Sequence, residues 1–207
     1  AINKNIKLDP LSSLGLDEDK PTLLYAPTFY PSSIELFSKN FPEDFKDYNI
    51  ILKPHFFSLT LKKYKAQKLL LDTWEKFDNV YLTKIEDYNL LNFMIISDLL
   101  ISDASSSIFE FAALDKPVIW CDFYKLRWSY RGLFSFRFKK RIDESLEVFH
   151  QLCERAGNYQ NLKNAVLNTM ANPDSRKSIR HAITEEYTGK VDGLCSKRIV
   201  DYLRDNK

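Results

Sequence analysis

The chain has 207 residues, of which 44% are hydrophobic and 28% are charged, and its formal net charge is +2. This composition is typical of a globular domain with one sizeable core. The near-neutral charge gives no argument for nucleic-acid binding, so we expect no nucleic acid among the partners. The most apolar run, residues 90–102, is interrupted by Asn92, Ser97 and Asp98. We therefore expect any membrane contact to be peripheral.

The cysteines bear on the compartment. Cys121, Cys153 and Cys195 are odd in number and widely spaced. Such a set favours reduced thiols over a disulfide framework or a zinc site. The N-terminus lacks the pattern of a signal peptide. We therefore predict a cytoplasmic location.

The predicted elements alternate along most of the chain. Residues 1–20 are polar and turn-rich and predict a leading segment or linker, followed by a domain that spans residues 21–207. Short apolar runs, continuous as in strands buried on both faces, predict strands at 22–26, 49–53, 79–83, 99–102 and 117–121. Segments that can be helical lie between them at 33–40, 59–77, 88–97 and 107–114. This alternation predicts an α/β fold with a Rossmann-like parallel sheet and helices on both faces.

After Arg141 the pattern predicts helices only. Four apolar residues fall on one helical stripe, which Gly157 could end as a C-cap. They are Leu146, Phe149, Cys153 and Ala156. Further helices are predicted at 160–171, 173–187 and 194–204, with Pro173 in the first turn of its helix.

Polar side chains follow the predicted strands at their carboxyl ends, where open parallel sheets bind ligands. The residues in question are Pro27 and Thr28 after the first strand, Pro54 and His55 after the second, Asp103 to Ser106 after the fourth, and Asp122 after the fifth. Their convergence on one edge predicts a site for a phosphate or a sugar. Thr28 could cap the next helix or bind the ligand. Asp103 is expected to organise the turn at Ser105, Ser106 and Ser107, which we call the serine turn.

Ser105, Ser106 and Ser107 fall where a helix should begin. Backbone N–H groups at a helix start lack intrahelical partners and favour phosphate. Ser105 and Ser106 could bind phosphate, or they could be ordinary N-caps, and both can hold at once. Glu110 lies one turn beyond Ser106 and could accept hydrogen bonds from ribose or compensate the helix dipole.

His55 is the only histidine at a predicted strand end. Its imidazole could donate to a diphosphate, and the charge of that ligand would raise the pKa of the ring. The alternative is a histidine that merely caps or packs at the strand end. Because it follows Lys53 and Pro54, we favour the functional interpretation. His150 and His181 are interpreted as surface or packing residues.

A basic run, RFKKR at residues 137–141, is usually a solvated edge. It could also attract anionic lipid or a polyanionic acceptor.

Four segments together resemble the C-terminal half of the CDP-glycerol glycerophosphotransferases, which build teichoic-acid-like poly(polyol phosphate) chains. They are LYAPTF at 24–29, LKPH at 52–55, the stretch 98–121, and YRGL at 130–133. The third is the most specific, with Ser102, Asp103, Ser105 and Ser106 at its core and LDKPVI at its end. The tail at 192–201 also looks like the closing helix of that family, so the likeness covers about residues 22–203.

The resemblance implies a glycosyltransferase-B type architecture, in which two Rossmann-like domains face each other and the C-terminal one binds the donor. It implies eight donor-binding residues here, of which His55 is the catalytic candidate. They are Pro27, Thr28, Lys53, Pro54, His55, Ser105, Ser106 and Glu110. It also implies no obligatory metal ion held by the protein, while the sequence leaves Mg²⁺ open.

The chain departs from the family pattern in four respects. Ala104 stands where an aromatic residue is usual, Ser107 replaces an aliphatic residue, and Glu110 stands where Asp is frequent. The donor could therefore carry another polyol, such as ribitol. The Trp-His-Gly segment of the N-terminal domain is absent from these residues, so we expect half of a catalytic unit whose N-terminal domain is a missing partner.

Three functions follow in order of preference. The first is the donor-binding domain of a transferase that moves polyol phosphate from CDP-glycerol, or a related CDP-polyol, to an acceptor hydroxyl with release of CMP. Its acceptor would be an anionic polyol phosphate or a lipid-linked chain. The second is a nucleotide-sugar-binding domain of another glycosyltransferase-B enzyme or an epimerase. The third is a non-catalytic module that binds an anionic polymer through the basic run.

Overall fold

The computed structural model describes residues 10–126, 130, 132 and 147–205. Six strands in this part form one sheet in which every neighbouring pair is parallel, in the order β3-β2-β1-β4-β5-β6. The strands are β1 Thr22–Ala26, β2 Asn49–Leu52, β3 Val80–Leu82, β4 Leu99–Ser102, β5 Val118–Cys121 and β6 Glu154–Ala156. The order reverses between β1 and β4, which makes this the switch point of a doubly wound sheet. The predicted Rossmann-like fold is confirmed.

Helices connect the strands and cover both faces. They are α1 Phe41–Asp44, α2 Phe56–Thr60, α3 Lys65–Trp74, α4 Leu90–Ile96, α5 Ser107–Ala112, α6 Glu147–Leu152, α7 Tyr159–Ala171, α8 Lys177–Thr188 and α9 Cys195–Asp205. Short 3₁₀ turns lie at Leu11–Leu14, Ile34–Leu36 and Lys62–Tyr64. Among the described residues, no helix combines the length and the apolar character that a bilayer crossing requires.

The core has two layers because successive strand residues point to opposite faces of the sheet. All five residues of β1 are buried. Leu23 and Tyr25 pack with residues of α1, α3 and α7 on one face. Leu24 and Ala26 pack with residues of α4, α5, α6 and α8 on the other. This double burial explains why the strand sequences are continuously apolar.

The expectation of helices only after Arg141 is wrong. Residues 154–156 form β6, whose pairing with β5 places Ala156 beside Cys121. Helix α6 ends at Leu152, so Cys153 and Ala156 do not continue its stripe, and Gly157 does not end it. A strand of three residues is too short to show a period of two, and its buried alanine happened to match helical spacing.

Several predicted helices are shorter than expected. Residues 33–40 contain only the turn Ile34–Leu36, and 59–77 divides into α2, a 3₁₀ turn and α3. Leu61 breaks this stretch because its backbone is extended, with ψ of 126°. Helix α8 begins at Lys177, so Pro173 precedes it instead of lying in its first turn.

The leading segment packs against the sheet where it is described. Leu16 is buried in the same layer as Leu24. The side chain of Asn49 accepts a hydrogen bond from the Asp17 N–H at 3.1 Å and donates to the Asp17 carbonyl at 2.6 Å. The division of the chain at residue 20 stays a prediction.

Candidate functional site

A buried carboxylate fixes the loop that follows β1. Asp103 directly follows β4 and is 1% exposed. Its Oδ2 accepts from the N–H and the hydroxyl of Thr28 at 3.0 and 3.2 Å. Its Oδ1 accepts from the N–H and the hydroxyl of Ser33 at 3.2 and 2.5 Å. Asp103 therefore ties the ends of β1 and β4 together at the switch point, and its partners lie in this loop rather than in the serine turn that we expected it to organise.

The electrostatics of Asp103 reflect its depth. Burial raises the pKa of this carboxyl to about 7, although the hydrogen bonds from Ser33 and Thr28 oppose that rise. The Ser33 hydroxyl also lies 2.8 Å from the hydroxyl of Tyr25. Burial, followed by the nearby Asp103 charge, holds the pKa of Tyr25 well above its usual value. The network is therefore a buried scaffold beneath the site.

Pro27 and Thr28 are held by this scaffold. Pro27 is buried, and its carbonyl accepts the His55 N–H at 3.4 Å. The Thr28 hydroxyl donates within the loop to the carbonyl of Pro31 and to Asp103. It caps no helix, so that alternative is wrong. Thr28 remains partly exposed at the edge.

His55 is the N-cap of α2. Its Nδ1 accepts from the Phe57 N–H at 3.1 Å, and its ring centroid lies 4.6 Å from that of Phe29. Burial and then the charge of Lys53 lower the pKa of the ring below 6.5. A neutral ring that accepts at Nδ1 carries its proton on Nε2. No described residue accepts from Nε2, so His55 does cap α2, and its ring still leaves one N–H for a ligand.

Lys53 and Pro54 connect β2 to His55. The Lys53 N–H donates to the carbonyl of Tyr25 at 2.9 Å. Burial lowers the pKa of its half-buried ammonium, and the Asp87 charge opposes this. Pro54 is buried directly after β2.

In the serine turn, one serine makes the local capping bond and another is exposed. The Ser105 hydroxyl accepts from the N–H and the hydroxyl of Ser107 at 3.3 and 3.0 Å. The buried Ser102 hydroxyl donates to the carbonyl of Ala26 at 2.7 Å. Ser106 is exposed and its hydroxyl caps nothing in α5. Ser105 thus performs the local capping, and Ser106 presents a hydroxyl at the helix start.

The strand register brings these groups to one edge. Ala26 of β1 pairs with Ser102 of β4, and Tyr25 pairs with Leu52 of β2. His55 and the serine turn therefore flank the end of β1 from its two sides. Neighbouring strands are about 4.8 Å apart, so the ends of β2 and β4 are about 10 Å apart. Glu110 is exposed one helical turn further along α5.

Other predicted groups lie outside this arrangement. Asp122 follows β5 but is held by Arg155, with an Nε–Oδ2 distance of 2.8 Å. The described ranges contain no group of three or more His, Cys, Asp and Glu side chains able to hold a metal ion. The RFKKR run and most of the YRGL segment lie outside the described residues, although Tyr130 is described and its ring centroid lies 6.0 Å from that of Tyr30.

Sequence reasoning missed Ser33 altogether. The available signal was Asp103, a carboxylate at a strand end with no cation near it in the sequence. When such a carboxylate is buried, it needs hydrogen-bond donors from a facing loop. The remaining histidines agree with their interpretation: His150 packs edge-on against Trp120 at 5.1 Å, and Nε2 of the exposed His181 lies 3.0 Å from Asp115.

The sheet order and the polar edge at its switch point define a doubly wound α/β domain of the Rossmann class. The chain belongs to the CDP-Glycerol:Poly(glycerophosphate) glycerophosphotransferase family, whose model matches residues 7–205. The family resemblance is confirmed.

Curated relatives cover part of the chain. The teichoic acid glycerol-phosphate primase of Bacillus spizizenii is 38% identical over 112 residues, which are 54% of this chain and 28% of the relative. The teichoic acid poly(glycerol phosphate) polymerase of the same organism is 30% identical over 122 residues, 52% of this chain and 27% of the relative. The chain therefore spans less than a third of the curated relatives that it matches.

Solved structures share the fold. The wall teichoic acid polymerase TagF, in a structure soaked with CDPG, superposes with a TM-score of 0.59 at 19% identity, over 94% of this chain and 44% of that chain. A UDP-GlcNAc 2-epimerase from Neisseria meningitidis, bound to UDP-GlcNAc, superposes with a TM-score of 0.59 at 17% identity, over 94% of this chain and 47% of that chain. Both support the fold and, at these identities, nothing finer.

Proposed function

We propose that the chain is the donor-binding half of a glycerophosphotransferase that takes glycerol phosphate from CDP-glycerol. Family membership supports the donor class. The observation that carries the proposal is the position of His55 and the serine turn on the two strands that flank β1 at the switch point. Ligands of open parallel sheets bind at this point.

The transfer is a displacement at phosphorus. An acceptor hydroxyl forms a bond to the β-phosphorus of CDP-glycerol, while the bond from that phosphorus to the bridging oxygen breaks. CMP leaves with the bonding electron pair, and the hydroxyl proton passes to a base that we assign to a separate N-terminal domain. Enzymes accelerate phosphoryl transfer mainly by positioning and electrostatic stabilisation. This half would supply both to the diphosphate.

His55 would act as a hydrogen-bond donor. Its Nε2–H would bind the diphosphate, and the Ser106 hydroxyl with the amides that begin α5 would bind the same group from the β4 side. A bound diphosphate would raise the pKa of the ring, but a proton on Nδ1 would remove the acceptor of the Phe57 N–H. The neutral ring is therefore the form that holds both α2 and the donor.

The remaining donor-binding residues would have supporting roles. Thr28 would face the ligand from the fixed loop after β1, and Lys53 would add positive charge beside His55. Glu110 would accept from a ribose hydroxyl. An anionic polyol-phosphate or lipid-linked acceptor completes the proposal, and the polyol and any Mg²⁺ requirement are left open.

A panel of ligands tests the nucleotide class. CDP-glycerol, CDP, UDP and GDP are each titrated into the chain and followed by thermal shift and calorimetry. We expect CDP-glycerol and CDP to stabilise the chain, by about 2.7 kcal/mol at a hundredfold excess over Kd. UDP and GDP should give no matching stabilisation. Equal stabilisation by UDP would instead favour the nucleotide-sugar alternative, for which the epimerase likeness supplies the same fold.

A further inference from the structure

A strip of lysines lies on the segment that follows His55. Residues 48–71 contain five lysines and no Asp or Glu. Three of these lysines, Lys62, Lys63 and Lys65, are exposed at the turn that joins α2 to α3, and we call them the lysine strip. A charged surface of one sign attracts ligands of the opposite sign.

The strip is anchored to the same loop as the donor site. Tyr64, between the lysines, is buried with its ring centroid 5.7 Å from that of Phe29. The Gln67 side chain donates to the Phe29 carbonyl at 3.0 Å. The Phe29 ring also contacts His55. Because α2 and the 3₁₀ turn are both short, the strip lies within about 15 Å of His55.

The charge of the strip is not neutralised within the part of the chain that the structure describes. Lys68, one turn along α3, pairs with Asp72 at 2.8 Å. Among the described residues, no carboxylate pairs with a strip lysine in this way, and Lys63 lies over the ring of Tyr64, at 5.1 Å. The carboxylate of Asp87, which follows β3, is engaged by the Lys84 N–H at 2.8 Å. Three ammoniums within four residues, none paired with a carboxylate of the described structure, leave the strip open to an anion.

We propose that the lysine strip binds the phosphates of the acceptor, a poly(polyol phosphate) chain, as it approaches the donor diphosphate at His55. This inference rests on the proposed function. Lysine is a flexible point charge that suits a mobile phosphodiester. A polymer with one phosphate in each repeat can meet several ammoniums along the turn at once.

The geometry favours a polymer over a lipid surface. Peripheral membrane binding needs exposed apolar side chains next to the basic ones. Within the turn, Leu61 is only partly exposed and Tyr64 is buried. The exposed apolar side chains nearby in sequence, Phe56 and Leu69, stand singly on the two flanking helices, so the turn itself presents charge without a continuous apolar face.

The test compares two triple variants of equal charge. The first is Lys62→Gln, Lys63→Gln and Lys65→Gln. The control is Lys39→Gln, Lys46→Gln and Lys76→Gln, which are also exposed but lie at the opposite edge of the sheet. Trp74, at the end of α3, bonds to the Lys39 carbonyl, while Lys46 and Lys76 shortly precede β2 and β3. Thermal melting checks that both variants fold like the wild type.

The probe is a glycerol-phosphate oligomer of defined length, titrated at low and at high salt. We expect the strip variant to bind about tenfold more weakly at low salt, about 0.5 kcal/mol per lysine. The control should bind like the wild type, and the difference should disappear near 1 M salt because screening is then nearly complete. Equal affinities of the two variants would overturn the proposal.

Two further titrations separate the possible failures. Phosphatidylglycerol vesicles that bind through the strip, while the oligomer does not, would replace the polymer with a membrane and overturn the proposal. CDP-glycerol is titrated into the wild type separately. Loss of donor binding with intact oligomer binding would refute the proposed function and leave the strip as an anion-binding surface.

Discussion

Two loops leave the same edge of the sheet on neighbouring strands and differ in how their polar groups are used. In the loop after β1, the amides and hydroxyls of Thr28 and Ser33 all lie within hydrogen-bond distance of the buried Asp103, and the Thr28 hydroxyl also contacts the carbonyl of Pro31. In the turn after β4, Ser105 bonds locally, and Ser106 is exposed with no capping bond. One loop is saturated internally, and the other presents donors to the outside.

The loop after β1 therefore supports the fold, and the turn after β4 is available to bind a ligand. A buried network with every partner in place is rigid and expensive to disturb. An exposed hydroxyl at a helix start contributes little to the free energy of unfolding but is ready for a ligand. We therefore expect changes in the first loop to alter stability, and changes around the second to alter donor affinity.

The pH dependence of stability should give the largest effect. Because burial raises the pKa of Asp103 from 3.8 to about 7, the folded chain binds this proton more tightly than the unfolded chain. This tighter proton binding adds on the order of 4 kcal/mol to the free energy of unfolding, at 1.36 kcal/mol per pKa unit. The added stability is fully present below pH 4 and is lost as the pH rises to about 7. Asp103→Asn should remove this slope in urea unfolding measured from pH 4 to pH 8.

The control for this series is Asp98→Asn. Asp98 is exposed and also accepts a strand N–H, from Thr22 at 2.8 Å, but at the other edge of the sheet. It should keep the wild-type slope. If Asp103→Asn shows that same slope, the Asp103 carboxyl does not titrate as described.

Variants of His55 should sharpen the comparison, because this residue caps α2 and is also proposed to bind the donor. His55→Ala and His55→Asn both lose the Nε2–H, so both should bind CDP-glycerol at least tenfold more weakly, the worth of a hydrogen bond to a charged group. Only His55→Ala also loses the cap of α2, which should lower the free energy of unfolding by about 1 kcal/mol, since asparagine is a good N-cap. Calorimetry and urea unfolding read the two effects. Wild-type affinity of His55→Asn would exclude the imidazole from donor binding.

Ser106→Ala should give the smallest effect on donor affinity, and it should change affinity without changing stability. We expect a two- to tenfold loss of CDP-glycerol affinity, about 0.5–1.5 kcal/mol, which is less than a full bond to a charged group because the amides that begin α5 still bind the diphosphate. The free energy of unfolding should stay within about 0.5 kcal/mol of the wild type, as for other exposed positions. The comparison variant is Ser107→Ala, because Ser107 is buried and bonded to Ser105. It should lose stability instead, and the reverse pattern would contradict the division between the two serines.

The sequence predicted the parts of the fold that depend on burial. The bounds of β1 and β4 agree with the prediction, because each is a continuous apolar run closed by Pro27 or Asp103. Strand β6 could not be predicted, since three residues carry no period and its pairing depends on β5, more than thirty positions away. The helix predicted at 59–77 has other bounds because α2 starts at a cap made by His55, which is not a usual capping residue, and ends at the extended Leu61.

The site was predictable in position and not in detail. Parallel strands place their carboxyl ends together whatever the loops do, so His55 and Ser106 could be assigned to one edge from the sequence. Which group bonds to which depends on the conformation of residues 27–33, and that is set by a carboxylate 75 positions away from Thr28. Contacts of this range leave no local pattern.

The N-cap at His55 restricts what its ring can do. A proton relay through imidazole requires both nitrogens to exchange protons, and Nδ1 is already engaged with the first turn of α2. While that turn is intact, the His55 ring can offer a ligand only its Nε2–H, as a fixed dipole and not as a shuttle. Under the proposed function, acid–base work at this edge would therefore fall to some other group.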